Sequence, residues 1–142
     1  MSLDIMDWKT CKRDFVRKVS PDPERVESIK EMALLRLEQT GSMEVSEKSV
    51  SFIVENYYEI VKELLVAYLL KNGLRSKNHQ CLISYFYKEN PEMEREAILI
   101  KQMSFFRNRL GYYGEKVPYD FYESKKEEFE HLVDVLFKLV KC

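Results

Sequence analysis

The sequence predicts an all-α fold, an antiparallel four-helix bundle with one extra short helix, in a single domain spanning residues 1–142. Three observations predict it. Only 4 Gly and 4 Pro leave little material for β-turns or phosphate-cradling loops and much room for uninterrupted helix. Apolar residues recur at steps of three and four along several long stretches. The breaks between those stretches are short, and short connections force neighbouring helices to run in opposite directions. With 45% apolar and 13% aromatic residues the chain is too hydrophobic to stay disordered. A chain of about this length buries roughly 70% of its unfolded surface.

The N-terminal stretch, residues 1–20, is read as an extension or a short helix. From Asp4 to Val19 it carries Ile5, Trp8, Phe15 and Val16 without a clean period, and suits either a helix laid on the bundle or an arm to a partner. Trp8 reads as a packing anchor, in keeping with the burial of large aromatics. Met1-Ser2-Leu3 could be an expression remnant and carries no weight.

The first firm signal is Ser20-Pro21-Asp22-Pro23, where Asp22 can cap a helix that opens on Pro23, a residue with no N–H to leave unsatisfied. Val26, Ile29, Ala33 and Leu37 continue it at helical spacing, with Met32 and Leu34 widening the stripe, so a helix is predicted over about 23–40, before Gly41. A second helix over about 47–72 has the strongest pattern: Val50, Ile53, Val54, Tyr57, Val61, Leu64, Leu65 and Tyr68, ending at Asn72-Gly73. Ser76 is expected to open a shorter crossing helix to residue 88, closed by Asn90-Pro91, which starts the next. That fourth helix turns Met93, Ala97, Ile100, Met103 and Phe106 or Leu110 inward, and Gly111 and Gly114 are expected to break it. A fifth, about 120–141, carries Phe121, Phe129, Leu132, Val133, Leu136 and Val140. No internal repeat is visible.

Composition and motifs exclude several functions. Lys plus Arg number 23 against 24 Asp plus Glu, a net charge of −1, which is no coat for nucleic acid and no acidic tail. The chain lacks GxGxxG, GxxxxGK[ST], HExxH and GxSxG, so dinucleotide enzymes, P-loop hydrolases, zincins and α/β hydrolases lack their signatures. Cys11, Cys81 and Cys142 share no CxxC or CxxH spacing; neither a disulfide framework nor a zinc site is expected, and a reducing cytoplasm fits best. Lys62 and Glu63 interrupt even the greasiest stretch, so no membrane span is expected. Glu128-x-x-His131 is a single copy in an acid-rich helix, where two copies would be needed for a carboxylate-bridged metal pair, and no metal or other cofactor is expected.

One segment resists a bland reading: Phe105-Phe106-Arg107-Asn108-Arg109-Leu110-Gly111-Tyr112-Tyr113-Gly114. Guanidinium forks bind phosphate bidentately, an amide both donates and accepts, and phenols stack on bases or donate to phosphate oxygens. The alternative is a plain helix terminus, where Arg suits the dipole, Gly is an ordinary stop and Tyr112 merely packs.

Val54-Glu55-Asn56-Tyr57-Tyr58-Glu59-Ile60-Val61-Lys62-Glu63-Leu64-Leu65, followed by Leu69-Leu70-Lys71-Asn72-Gly73 and Ser76-Lys77-Asn78-His79, resembles the second helix and following loop of HEPN domains, the higher eukaryote and prokaryote nucleotide-binding family. Arg107-Asn108 followed by Tyr112 resembles that family's signature near the end of its later long helix. The likeness covers about residues 22–140 in the same helix order. It implies a helical bundle, usually a homodimer, whose Arg-Asn segments face each other across a shared cleft, and which in many members is a toxin paired with a small nucleotidyltransferase. Active members cut RNA without metal, using Arg, a polar residue and then His four to six residues after the Arg. Here Tyr112 stands where that histidine is expected. An imidazole titrates near about 6.5 and a phenol near about 10, so Tyr112 is a poor general base at neutral pH.

The expectation is therefore a cleft that binds nucleotide or RNA through Arg107, Asn108, Arg109, Tyr112 and Tyr113, with Glu55 and Tyr58 as a polar wall, and with feeble hydrolysis or none. If it is active, Arg107, Asn108 and Tyr112 would carry catalysis, with Tyr113 as a substitute phenol. Tyr57 is read as core and His79 as structural, closing the first turn after Ser76. Two alternatives remain: an active metal-independent ribonuclease, and a structural bundle that binds another protein. An exposed apolar face and an Arg107 salt-bridged within its own chain would favour the last.

Overall fold

The computed structural model describes residues 4–141; Met1-Ser2-Leu3 and Cys142 lie outside the described residues. In chain order the elements are α1 (Trp8–Asp14), β1 (Val16–Lys18), α2 (Pro23–Gly41), α3 (Val50–Lys71), β2 (Leu74–Ser76), α4 (His79–Glu89), α5 (Glu94–Tyr113) and α6 (Tyr119–Leu139). The fold is mostly helical, as expected, apart from the small ribbon of β1 and β2.

Capping sets the helix starts. The Asp22 carboxylate accepts from the Arg25 N–H at 3.1 Å with Pro23 in the first turn, so α2 begins where the sequence placed it. Asp7 caps α1 in the same way, accepting from the Thr10 N–H at 3.3 Å. The start of α4 is a correction: its cap is Asn78, which accepts from the Gln80 N–H at 2.9 Å, and not Ser76. Ser76 instead ends β2, where its hydroxyl donates to the Phe15 carbonyl at 2.8 Å and accepts from the Asn78 N–H at 3.1 Å.

Helix α3 is the hub, packed against α2, α4, α5 and α6. Thirteen of its 22 residues are buried, more than a single apolar stripe supplies, so it is wrapped on several sides. Contacts between α2 and α3 run from Arg36–Glu63 (2.7 Å) to Met43 Sδ–Asn56 Nδ2 (3.6 Å), which makes the two antiparallel. The pair α5 and α6 is antiparallel too, with Phe106 on Phe121 (centroids 4.4 Å) at one end and Glu96 near His131 (3.7 Å) at the other. Helices α3 and α6 run parallel, from Tyr57–Phe129 (5.4 Å) to the Lys71 ammonium on the Leu139 carbonyl (3.1 Å). Tyr57 is core, as expected, and burial pushes its phenol up to about 12.

Two apolar expectations are narrowed. On α2, Val26 and Ala33 are buried and Ile29 and Leu37 partly so, but Met32, Leu34 and Leu35 are exposed. Packing chiefly on α3, that helix needs only a narrow stripe. On α5, Gly111 does not break the helix; Gly114 does, with φ at +66° in the left-handed region that glycine enters without penalty.

The N-terminal stretch is more ordered than its aperiodic sequence implied. Helix α1 lies on α4, and β1 pairs antiparallel with β2 in the register Val16↔Ser76, Arg17↔Arg75, Lys18↔Leu74. Trp8 is a packing anchor against Tyr85 (5.2 Å), with the Lys88 ammonium over its ring at 5.6 Å. Beneath them the expectation of unpaired thiols is overturned: Cys11 of α1 and Cys81 of α4, both fully buried and 5.5 Å apart at Cα, form a disulfide. Seventy residues separate them, a distance at which no spacing motif signals a bond. No helix among the described residues is long and apolar enough to cross a membrane.

Candidate functional site: the Arg107 wall

Helix α5 extends through Gly111 to Tyr113, so Arg107, Asn108 and Arg109 lie inside it, not at its end. Helical geometry then separates the candidates. Tyr112 is five residues from Arg107, about 140° round the axis, and shares its side with Asn108 instead. Tyr112 and Tyr113 are 73% and 69% exposed and meet edge to face at 6.5 Å. Arg109 is committed to Glu115, two hydrogen bonds of 2.5 Å closing a fork-to-fork pair. Its guanidinium also lies over Tyr113 (5.1 Å) and Phe105 (5.7 Å). Hydrogen bonding in that pair lowers the Glu115 pKa and raises that of Arg109. Arg109, Tyr113, Phe105 and Glu115 thus make one exposed cluster, and Arg107 stands apart from it.

Arg107 faces α3. Its Nη2 lies 3.7 Å from Glu59 Oε1, at the long limit of an ion pair, and its side chain is 30% exposed. The other Glu59 oxygen is held by Lys62 Nζ at 2.6 Å. Arg107 Nε is buried with no hydrogen-bond partner. A buried unpaired donor costs about 1–3 kcal/mol and is rare in a settled interior. Glu55, half-buried, stands one turn before Glu59 on the same row of α3. Tyr58 is buried next to that row; burial raises its pKa, while Ser104 and Arg107 pull it down. Its phenol therefore stays protonated at neutral pH.

Three participants were not singled out for this role in the sequence. Glu59 and Lys62 lie on the polar row of α3 one and two turns after Glu55, a signal available in the pattern but not used. His79, read as structural, opens α4 close to the same charges. Burial lowers its pKa first, then the positive charge of Lys62 and Arg107, against a smaller opposing effect of Glu59. It is thus held neutral at neutral pH, in the form that can accept a proton. Its neighbour Gln80 donates to the Ser104 hydroxyl at 3.2 Å and accepts from Lys101 at 2.7 Å, which locks the start of α4 against α5. Only the fold could bring His79 here, since it lies 28 positions before Arg107 in the sequence.

Among the described residues no group of three or more His, Cys, Asp or Glu gathers where a metal ion could be held. His131 is exposed and has Glu96 as its partner. Compared with known protein families, curated proteins and solved structures, the chain matches none of them.

Proposed function

We propose that this chain is a HEPN-like four-helix bundle domain that binds nucleotide or RNA at the Arg107 wall, as a homodimer, with weak hydrolysis or none. The observation that carries the reading is the guanidinium of Arg107, part exposed, with a buried Nε lacking any partner and one long ion pair to a carboxylate that Lys62 already occupies. The Nε is closed to solvent, so the capacity left over lies with the exposed part of the guanidinium, which a phosphate oxygen satisfies better than a shared, distant carboxylate. Tyr112 and Tyr113 stand apart from Arg107 on α5, Tyr112 one turn after Asn108, and their exposed rings suit stacking on the bases of a strand that passes round the helix. Arg109 contributes less than the sequence suggested, because Glu115 already takes its fork. Weak hydrolysis follows from Tyr112, a phenol on a different side of α5 from Arg107.

The same reading includes a minimal nucleotidyltransferase as protein partner, no cofactor, and a cytoplasmic location. The Cys11–Cys81 disulfide removes the unpaired cysteines on which that location was argued, since such bonds persist chiefly in oxidising compartments; among intracellular proteins they are a feature of those from hot habitats, a setting that suits a chain rich in Glu and Lys and poor in Gln.

A second reading, a bundle that binds another protein, is favoured by the exposed Met32, Leu34 and Leu35 on α2 and by the Arg107–Glu59 pair lying within one chain. Anisotropy of labelled single-stranded RNA separates the two. An Arg107→Ala variant should bind roughly 10-fold or more weakly, the worth of one charge-assisted contact. Binding equal to wild type would leave the protein-interaction reading. Robust RNA cleavage by wild type, lost in His79→Asn, would replace weak hydrolysis with catalysis by His79.

A further inference from the structure

The ribbon of β1 and β2 has a feature that its own stability does not explain. Its register sets Arg17 directly opposite Arg75, and both side chains are exposed on one face. Like charges directly opposed across a strand pair are destabilising. Among the described residues no carboxylate lies within salt-bridge distance of Arg17, Arg75 or Lys77. The nearest acid in the chain's local path, Asp14, is already taken by Arg13, at 2.9 and 3.0 Å.

These residues line a cleft of about 440 Å³, together with Phe15 and Asn78. Four cations and one carboxylate border it, in a molecule whose net charge is −1. Phe15 is 44% exposed at its edge. The frame is stiff: the ribbon ladder, the Ser76 hydroxyl on the Phe15 carbonyl, the Asn78 cap and the Cys11–Cys81 disulfide all fix it. From Lys77 to His79, beside the Arg107 wall, is two residues, at most about 7 Å of chain.

We infer that this cleft holds the phosphate backbone of a single-stranded RNA, with Arg17, Arg75 and Lys77 on the phosphates and Phe15 stacked on a base. The inference rests on the RNA-binding reading of the Arg107 wall and adds a second contact for the same strand. A single strand fits because its bases are free to stack on an aromatic ring between cations. A bilayer surface is met by protruding groups, whereas these cations border a hollow. The ligand would relieve the repulsion between the paired arginines, which is the reason to keep them paired.

The test is anisotropy of a labelled, unstructured oligoribonucleotide of roughly 12 nucleotides, titrated with salt, on wild type, Arg17→Ser/Arg75→Ser, Phe15→Ala and Arg107→Ala. The double variant should bind at least about 10-fold more weakly near 0.1 M salt, and its slope of log K against log salt should be shallower by about 1.4, two phosphate contacts at about 0.7 each. Phe15→Ala should weaken binding with the slope unchanged. Arg17→Glu gains a partner in Arg75 and should melt at a higher temperature than wild type while binding RNA less well; a merely structural arginine would not give that opposition. Wild-type affinity and slope in the double variant, with binding weakened in Arg107→Ala, would overturn the cleft and leave the Arg107 reading standing. An Arg107→Ala variant that binds normally while the double variant fails would keep the cleft's cations and remove the shared strand. Tighter binding to phosphatidylserine vesicles than to RNA, lost in the double variant, would overturn the inference in favour of a membrane surface.

Discussion

The Cys11–Cys81 disulfide offers the firmest stability prediction. It closes a loop of 70 residues, half of the chain, across α1, β1, α2, α3 and β2. In the chain-entropy account, closing a loop of that length removes about 15 cal/mol/K from the unfolded state, about 4 kcal/mol at 25 °C. For a chain of this size, whose unfolding entropy is about 0.3 kcal/mol/K, the melting temperature should fall by roughly 10–15 °C. The perturbation is Cys11→Ala/Cys81→Ala, which avoids burying two hydroxyls at positions with no exposed surface. Melts followed by far-UV circular dichroism, with and without reductant, supply the assay. Reductant should lower the wild-type midpoint toward that of the double variant and leave the variant unmoved. Labelling under denaturing conditions should find two fewer thiols in untreated than in reduced protein. Equal thiol counts, or a midpoint insensitive to both reductant and substitution, would refute the reasoning.

The two glycines near the end of α5 should respond oppositely to alanine. Gly111→Ala falls inside the helix with open space around the new methyl and should stabilise by about 0.5–1 kcal/mol, while Gly114→Ala, at φ +66° and equally uncrowded, should cost roughly 1–2 kcal/mol from the backbone alone; chemical denaturation midpoints decide both. His79 should leave a mark on the acid side of the stability curve. Its pKa in the fold is below the usual 6.5, so the unfolded chain binds more protons, and stability is fully present above about pH 6.5 and falls as the pH drops through it, at no more than about 1.4 kcal/mol per pH unit. His79→Asn should flatten that decline between about pH 7 and 5, and coincident curves for the two proteins would contradict the placement of His79 among cations.

What the sequence disclosed, and what it concealed, follows from the range of the interactions. Asp22-Pro23 fixes the start of α2 through contacts within four residues, and the apolar run from Val50 to Tyr68 marks α3 by its period, so both were legible. Val16-Arg17-Lys18 and Leu74-Arg75-Ser76 are too short to show a period, and their pairing is a long-range event. The same holds for Cys11 with Cys81. Gly111 and Gly114 look alike in the sequence, yet only Gly114 adopts a left-handed backbone, and the misjudged stop placed Arg107 and Tyr112 at one helix end when they lie on different sides of a continuing helix. In the site, Arg107 was legible as chemistry. Its partner Glu59 and the neighbouring Lys62 and His79 depended on how α3, α4 and α5 meet.

Because α3 is enclosed by its neighbours, it has few side chains left with which to address the surroundings. Asn56 is turned to Met43 and Glu63 to Arg36, both attending to α2. Val66 and Tyr68 lean on the core, and Lys71 is turned to the Leu139 and Lys141 carbonyls. What remains is the line Phe52, Glu55, Glu59 and Lys62, three of them charged. Substitutions elsewhere on α3 are felt first as loss of fold, whereas changes along that line can alter what the molecule recognises without disturbing what holds it together.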